Sequence, residues 1–289
     1  MLTSNGYVLD ESSRRLGELE AVPDSERHDR DALWERLRRD GYLFLRGALD
    51  PEPVHAFRAH YFTKLAAAGV TAAGTAPPVG VAGAADTIDR EALRHILFQE
   101  IVPGPEYAAF CGQPAIRDWY NWFLGEQPVL HRRKILRHNR PGEHGVGTAT
   151  QAHYDLVYLR EGTDRVLASW IPLGDCPLDR GGLTYLEGSH HWVGRSERDG
   201  TLSGHPATSL TADLPSLADE HDARWLVTDY RAGDMVVHSA YIVHAGIDNA
   251  DPQRVMRLST DIRYQRVSEP IDWRWKYEWE DGDHARRWL

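Results

Sequence analysis

Residues 257–265 read RLSTDIRYQ, an unbroken alternation of side chains. Successive side chains of a strand point to opposite faces. Arg257, Ser259, Asp261, Arg263 and Gln265 therefore share one face, and Leu258, Thr260, Ile262 and Tyr264 the other. A barrel-wall strand this polar on one side either meets solvent or lines a wet interior. In the second case Arg257 and Ser259 point inward and grip an anion. A planar guanidinium meets a carboxylate through two parallel bonds. Its buried charge needs a partner, which a dicarboxylate co-substrate would supply.

Around this stretch, from about residue 129 to 266, short strands alternate with Gly, Pro and Asp turns. Examples are KILRHNRPGEHG (134–145), VLASWIPLGD (166–175), GLTYLEGS (182–189) and RWLVTDYRAGDMVVHS (224–239). That rhythm points to a sandwich or barrel. The earlier part is helical. DALWERLRRDG (31–41) carries Leu33, Trp34 and Leu37 on one face, and Gly41 follows as a stop. YLFLRG (42–47) reads as a buried strand. Asp50 and Pro51 then supply an N-cap and a first helical position for a second helix lined by Val54, Phe57, Tyr61 and Leu65. Residues 89–101 and 114–125 are further amphipathic helices.

Helices followed by strands predict one α+β domain whose N-terminal helices buttress a β core. The expected organisation is a loosely held leader over 1–28 and one domain over 29–289. That domain comprises a helical part (29–128), the β core (129–266) and a Trp-rich extension (267–289) packing back on the sheet. Residues 70–86, rich in Ala, Gly and Pro, should bury little and be mobile, as a linker or a lid. The polar insertion 194–222 is a second lid candidate.

The formal charge of −10 argues against a nucleic-acid surface. No apolar stretch is long enough for a membrane span, and the polar N-terminus lacks the core of a secretory signal. Two cysteines, Cys111 and Cys176, form no disulfide framework, so a reducing cytoplasm is the expected location.

QAHYDLVYL (151–159) places His153 and Asp155 two positions apart. On a strand they would share a face roughly 6.5 Å apart at Cα. The chain has 15 His and 43 acidic residues, so about two His-x-acid pairs arise by chance. The pair needs a third ligand to mean anything. GDMVVHSAYIVHAGIDN (233–249) offers His244, with His238 as the alternative. Two His and one carboxylate leave three metal positions open for a co-substrate and oxygen.

The ordered set His153-x-Asp155, His244, Arg257 resembles the phytanoyl-CoA dioxygenase-like group of iron- and 2-oxoglutarate-dependent oxygenases. So do LRRDGYLFLRGALDPEPV (37–54), SWIPLGDCPLDRGGLTYLEGSHH (169–191) and HAGIDNADPQRVMRLSTDIRYQ (244–265). The resemblance runs from about residue 30 to 266. It implies that the β core is a double-stranded β-helix (jelly roll, cupin-like), the jelly-roll core spanning 129–266. It implies Fe(II) on His153, Asp155 and His244, and Arg257 on the distal carboxylate of 2-oxoglutarate. It also implies Trp170 near that co-substrate, and O2 as the oxidant. Thr150 and Ser259 are expected as supporting hydrogen-bond donors. Relatives often carry a small hydroxyl residue where Gly246 stands. The gap from His244 to Arg257 is also slightly long, which leaves Arg254 as a competitor. A carboxylate at position 155 argues against halogenation, because related halogenases carry a small residue there. The expected activity is oxidation, foremost hydroxylation, of an unactivated C–H bond in a small secondary-metabolite intermediate. Alternatives are the same chemistry on an acyl-CoA, a zinc hydrolase or metal-dependent isomerase, and a non-catalytic jelly-roll binding module.

Overall fold

A computed structural model describes residues 1–143, 145–202 and 207–278. Three short strands come first: β1 (Thr3–Ser4), β2 (Tyr7–Val8) and β3 (Leu16–Glu18). Helix α1 (Arg30–Asp40), strand β4 (Tyr42–Leu45) and helix α2 (Pro51–Ala66) follow. Then come α3 (Arg90–His95), which runs on as a π-helical turn over Ile96–Ile101, α4 (Pro105–Cys111) and α5 (Pro114–Leu124). The β-rich part holds β5 (Pro128–Leu130), β6 (Ile135–Asn139), β7 (Leu167–Pro172) and β8 (Leu183–Leu186). It continues with α6 (Ser189–Arg198), α7 (Leu214–Glu220), β9 (Trp225–Val227), β10 (Met235–Ser239), β11 (His244–Gly246) and β12 (Arg257–Arg266).

The larger sheet runs β4-β10-β7-β12-β5, with β6 also paired to β12. The smaller runs β11-β8-β9-β3. Together with the N-terminal helices they make the expected α+β jelly roll. The helices start where their sequences say: Asp29 and Asp50 accept from backbone N–H groups of the first turns of α1 and α2. Gly41 takes the left-handed conformation that ends α1 and turns the chain into β4.

The outer face of the larger sheet packs on the helices. Tyr264 stacks on Tyr120 at 4.3 Å and donates to the Cys111 carbonyl. Thr260 hydrogen-bonds Tyr107. That packing explains how β12 is buried on both faces: its apolar side meets the helices and its polar side faces the space between the sheets.

Three expectations need correction. Residues 1–28 are not a loose leader. β3 pairs in parallel with β9, and Leu9, Leu19 and Val22 are buried. Ser4 donates to the Gly246 carbonyl, and the backbone N–H groups of Asn5 and Gly6 donate to Asp248. The composition of this segment is polar, but its few apolar residues land where the smaller sheet needs an edge covered. Deleting residues 1–10 should therefore lower the melting temperature by roughly 5–10 °C, as the loss of a buried Leu and its neighbours dictates. A thermal melt of the truncated chain checks this.

Residues 70–86 are also fixed. Thr71 bridges Ala82 and Val81 bridges Val255, while Arg58 donates to the carbonyls of Pro78 and Val79. Lastly, residues 151–159 are not a continuous strand. Ala152 and His153 make isolated β-bridges, to Thr211 and His244, and Asp155 opens a 3-10 turn over Asp155–Tyr158. In the C-terminal extension Trp275 packs inward; Trp279 and Trp288 lie outside the described residues, as do positions 203–206 of the insertion.

Candidate active site

His153 and His244 exchange both backbone hydrogen bonds, at 3.1 and 2.9 Å. This bridge ties the 151–155 segment to β11 and sets the two imidazoles side by side, 4.3 Å between ring centroids. The turn after Tyr154 swings Asp155 back toward them. Its Oδ1 lies 4.0 Å from each Nε2, and the ligand atoms of all three residues fall within 4.8 Å of one another.

Both rings are oriented so that they could hold a metal ion. Nδ1 of His153 faces the Gln151 carbonyl at 2.8 Å, and Nδ1 of His244 faces the Ile242 carbonyl at 3.1 Å. A carbonyl only accepts, so each Nδ1 carries the proton and each Nε2 presents its lone pair to the cluster. Burial pushes His153 down to about 4 and His244 well below the ordinary histidine range, so both are neutral at pH 7. Burial by itself would raise the Asp155 carboxyl, but the Arg263 guanidinium, followed by His238 and His244, holds it well below the usual range. Two neutral imidazoles and one carboxylate fit a divalent first-row ion such as Fe(II).

His238 is not a member of this cluster. It is fully buried on β10, with Nε2 3.5 Å from Asp155 Oδ2 and Nδ1 3.1 Å from the Tyr185 hydroxyl. Arg263 donates to Asp155 Oδ1 at 2.7 Å, and its guanidinium lies 4.3 Å from the centre of the Trp275 ring. Neither role was singled out from sequence. The signal for Arg263 was there: it sits on the same face of β12 as Arg257, and a buried carboxylate needs a partner.

A cavity adjoins the cluster, lined among others by Thr150, Trp170, Arg257 and Ser259. Arg257 is 4% exposed, donates to Ser259 Oγ at 2.8 Å, and leaves its buried Nε without a hydrogen-bond partner. Its competitor Arg254 is exposed, at φ 60° in the loop before β12. Gly246 also has a local cause. Its N–H donates to the Thr150 carbonyl, and a Cβ there would come within 3.1 Å of the Thr150 nitrogen.

Two histidines outside the cluster, His131 (buried) and His138 (partly buried), carry a stability signature. Burial pushes His131 and His138 down from 6.5 to about 4. His131 donates to Gln265 Oε1, whose amide nitrogen donates to Glu269 and Pro270. His138 pairs with the Tyr61 hydroxyl. Because the folded values lie below the unfolded ones, the unfolded chain takes up protons first as pH falls. Their stabilisation is whole above pH 6.5 and drains away toward pH 4. Denaturant titrations at pH 7 and near pH 5 should differ by roughly 2 kcal/mol for each ring.

A jelly roll with this ligand set and a cationic cavity wall is the build of an iron- and 2-oxoglutarate-dependent oxygenase. The chain belongs to the phytanoyl-CoA dioxygenase (PhyH) family, whose profile matches residues 37–257. A 1-deoxypentalenic acid 11-beta-hydroxylase from Streptomyces arenae is 26% identical over 245 residues, covering 83% of this chain and 82% of the relative. Its counterpart from Streptomyces exfoliatus is 26% identical over 243 residues, with the same coverage. Among solved structures, EctD from S. alaskensis with 2-oxoglutarate and 5-hydroxyectoine aligns with a TM-score of 0.56. It is 18% identical over 92% of this chain and 88% of that one. The epimerase SnoN in complex with Fe3+, alpha ketoglutarate and nogalamycin RO aligns with a TM-score of 0.54. It is 20% identical over 84% and 85%. At these identities the structural likeness speaks for the fold alone.

No helix among the described residues is long and apolar enough to cross a membrane.

Proposed function

We propose that the chain hydroxylates a C–H bond of a small organic molecule, with succinate and carbon dioxide as co-products, and that it works in the cytoplasm. The observation that carries this is the pairing of a preset His153, Asp155, His244 cluster with a buried Arg257 whose guanidinium has spare donors. The hydroxylase names of both Streptomyces relatives support hydroxylation over other oxidations, and a small organic molecule as the substrate; the substrate class we propose is a secondary-metabolite intermediate.

When bound, Fe(II) with 2-oxoglutarate and O2 supplies the oxidising power that breaks an unactivated C–H bond. The protein's own part is positioning. His153 and His244 offer Nε2, and the backbone carbonyls of Gln151 and Ile242 keep those nitrogens bare. Arg263 keeps Asp155 ionised and oriented. Arg257, braced by Ser259, takes the distal carboxylate of the co-substrate, which satisfies a guanidinium otherwise costly to bury. Trp170 and Thr150 line the cavity beside Arg257, where they bound the space left for the co-substrate.

Anaerobic titration of the Fe(II)-loaded protein with 2-oxoglutarate tests the reading. A visible metal-to-ligand absorption band, followed by succinate release on admitting O2, is the expected result. With no band and no succinate, a zinc hydrolase or isomerase on the same ligands becomes the better account.

A further inference from the structure

β6 carries a second cationic group into the cavity. In the β6–β12 register Arg137 lies opposite Ser259, so it shares the inner face with Arg257, Ser259 and Asp261. It lines the same cavity as His153 and His244. Unlike Arg263, which is held by Asp155, and Arg257, which is braced by Ser259, Arg137 makes no hydrogen bond or ion pair with any described residue. Asp261, on the neighbouring inner-face position of β12, is the nearby carboxylate, and burial pushes it toward its neutral form.

The charge balance says what is missing. The cavity and its ligand cluster hold three guanidiniums, of Arg137, Arg257 and Arg263, against the carboxylates of Asp155 and Asp261. Fe(II) and the doubly charged keto-diacid cancel each other. One positive charge is left, and it grows if Asp261 is neutral. A half-buried guanidinium with unused donors on the cavity wall calls for an anion of its own.

We propose that Arg137 is a specificity-determining residue that binds a carboxylate on the substrate, and hence that the substrate is a monocarboxylic acid. This deepens the oxygenase reading and rests on it. The fork of Arg137 would hold the acid group at one wall, so that the rest of the molecule lies across the cavity toward the His153, Asp155, His244 cluster.

The test uses the anaerobic protein with Fe(II) and 2-oxoglutarate, and two probes of one shape, cyclohexanecarboxylate and cyclohexanecarboxamide, titrated calorimetrically. The wild type should bind the acid about 10- to 100-fold more tightly than the amide, the range for one charge-assisted pair. Arg137→Leu should abolish that preference, and Arg137→Lys should keep part of it. Both variants should retain the 2-oxoglutarate absorption band, which also reports that they fold. Equal binding of acid and amide by the wild type, or no measurable binding of the acid at millimolar concentration, overturns the proposal. So does loss of the 2-oxoglutarate band in Arg137→Leu, which would assign Arg137 to the co-substrate. A missing band in the wild type would instead sink the oxygenase reading itself.

Discussion

Asp155→Asn is expected to lose succinate formation by at least about a thousandfold, the scale of losing several kcal/mol of metal-centred stabilisation. The variant should also fail to retain Fe(II), measured by metal analysis after gel filtration. The shape of the side chain survives, but the anion that completes the ligand set does not. A second arm separates chemistry from folding. In Asp155→Ala the Arg263 guanidinium stays buried without its 2.7 Å partner, a defect worth about 3–5 kcal/mol. Adding Arg263→Leu removes the stranded charge, so the double variant should recover much of that stability while remaining inactive. Recovery of activity in the double variant, or retention of Fe(II) by Asp155→Asn, would remove Asp155 from the ligand set.

Arg257→Leu should raise the Kd for 2-oxoglutarate by about 30-fold or more, because truncating one partner of a buried charge pair costs about 2–5 kcal/mol. The absorption band of the anaerobic complex reads this directly. Fe(II) binding should be nearly unchanged, since Arg257 is no member of the ligand cluster. Arg254→Leu is the control: that side chain is exposed and should leave 2-oxoglutarate binding as it was. If Arg254→Leu carried the loss instead, the anchor would have been misassigned by its strand pattern.

The alternation of residues 257–265 was legible because a strand's period is two, whatever surrounds it. From it follows the inner polar face of β12, on which Arg257 is buried while Arg254 before the strand stays exposed. Helix caps at Asp29 and Asp50 were equally local. The N-terminal segment was not legible. Leu9, Leu19 and Val22 are too sparse to signal a strand, and β3 exists only because β9 presents an open edge 209 residues further on, at Leu16 opposite Trp225.

For the site, the sequence alone determined the residue types: a His-x-Asp pair, later histidines, and an arginine on a polar strand face. Tertiary structure decided which histidine joins the pair, by closing the backbone bridge between His153 and His244. It also decided the tautomers, through the carbonyls of Gln151 and Ile242, and gave Asp155 its partner Arg263 from 108 positions away. Spacing along a chain reports only which faces neighbours share. Convergence of groups far apart in sequence depends on how sheets close and on which buried charges must find one another, and only the folded molecule carries that information.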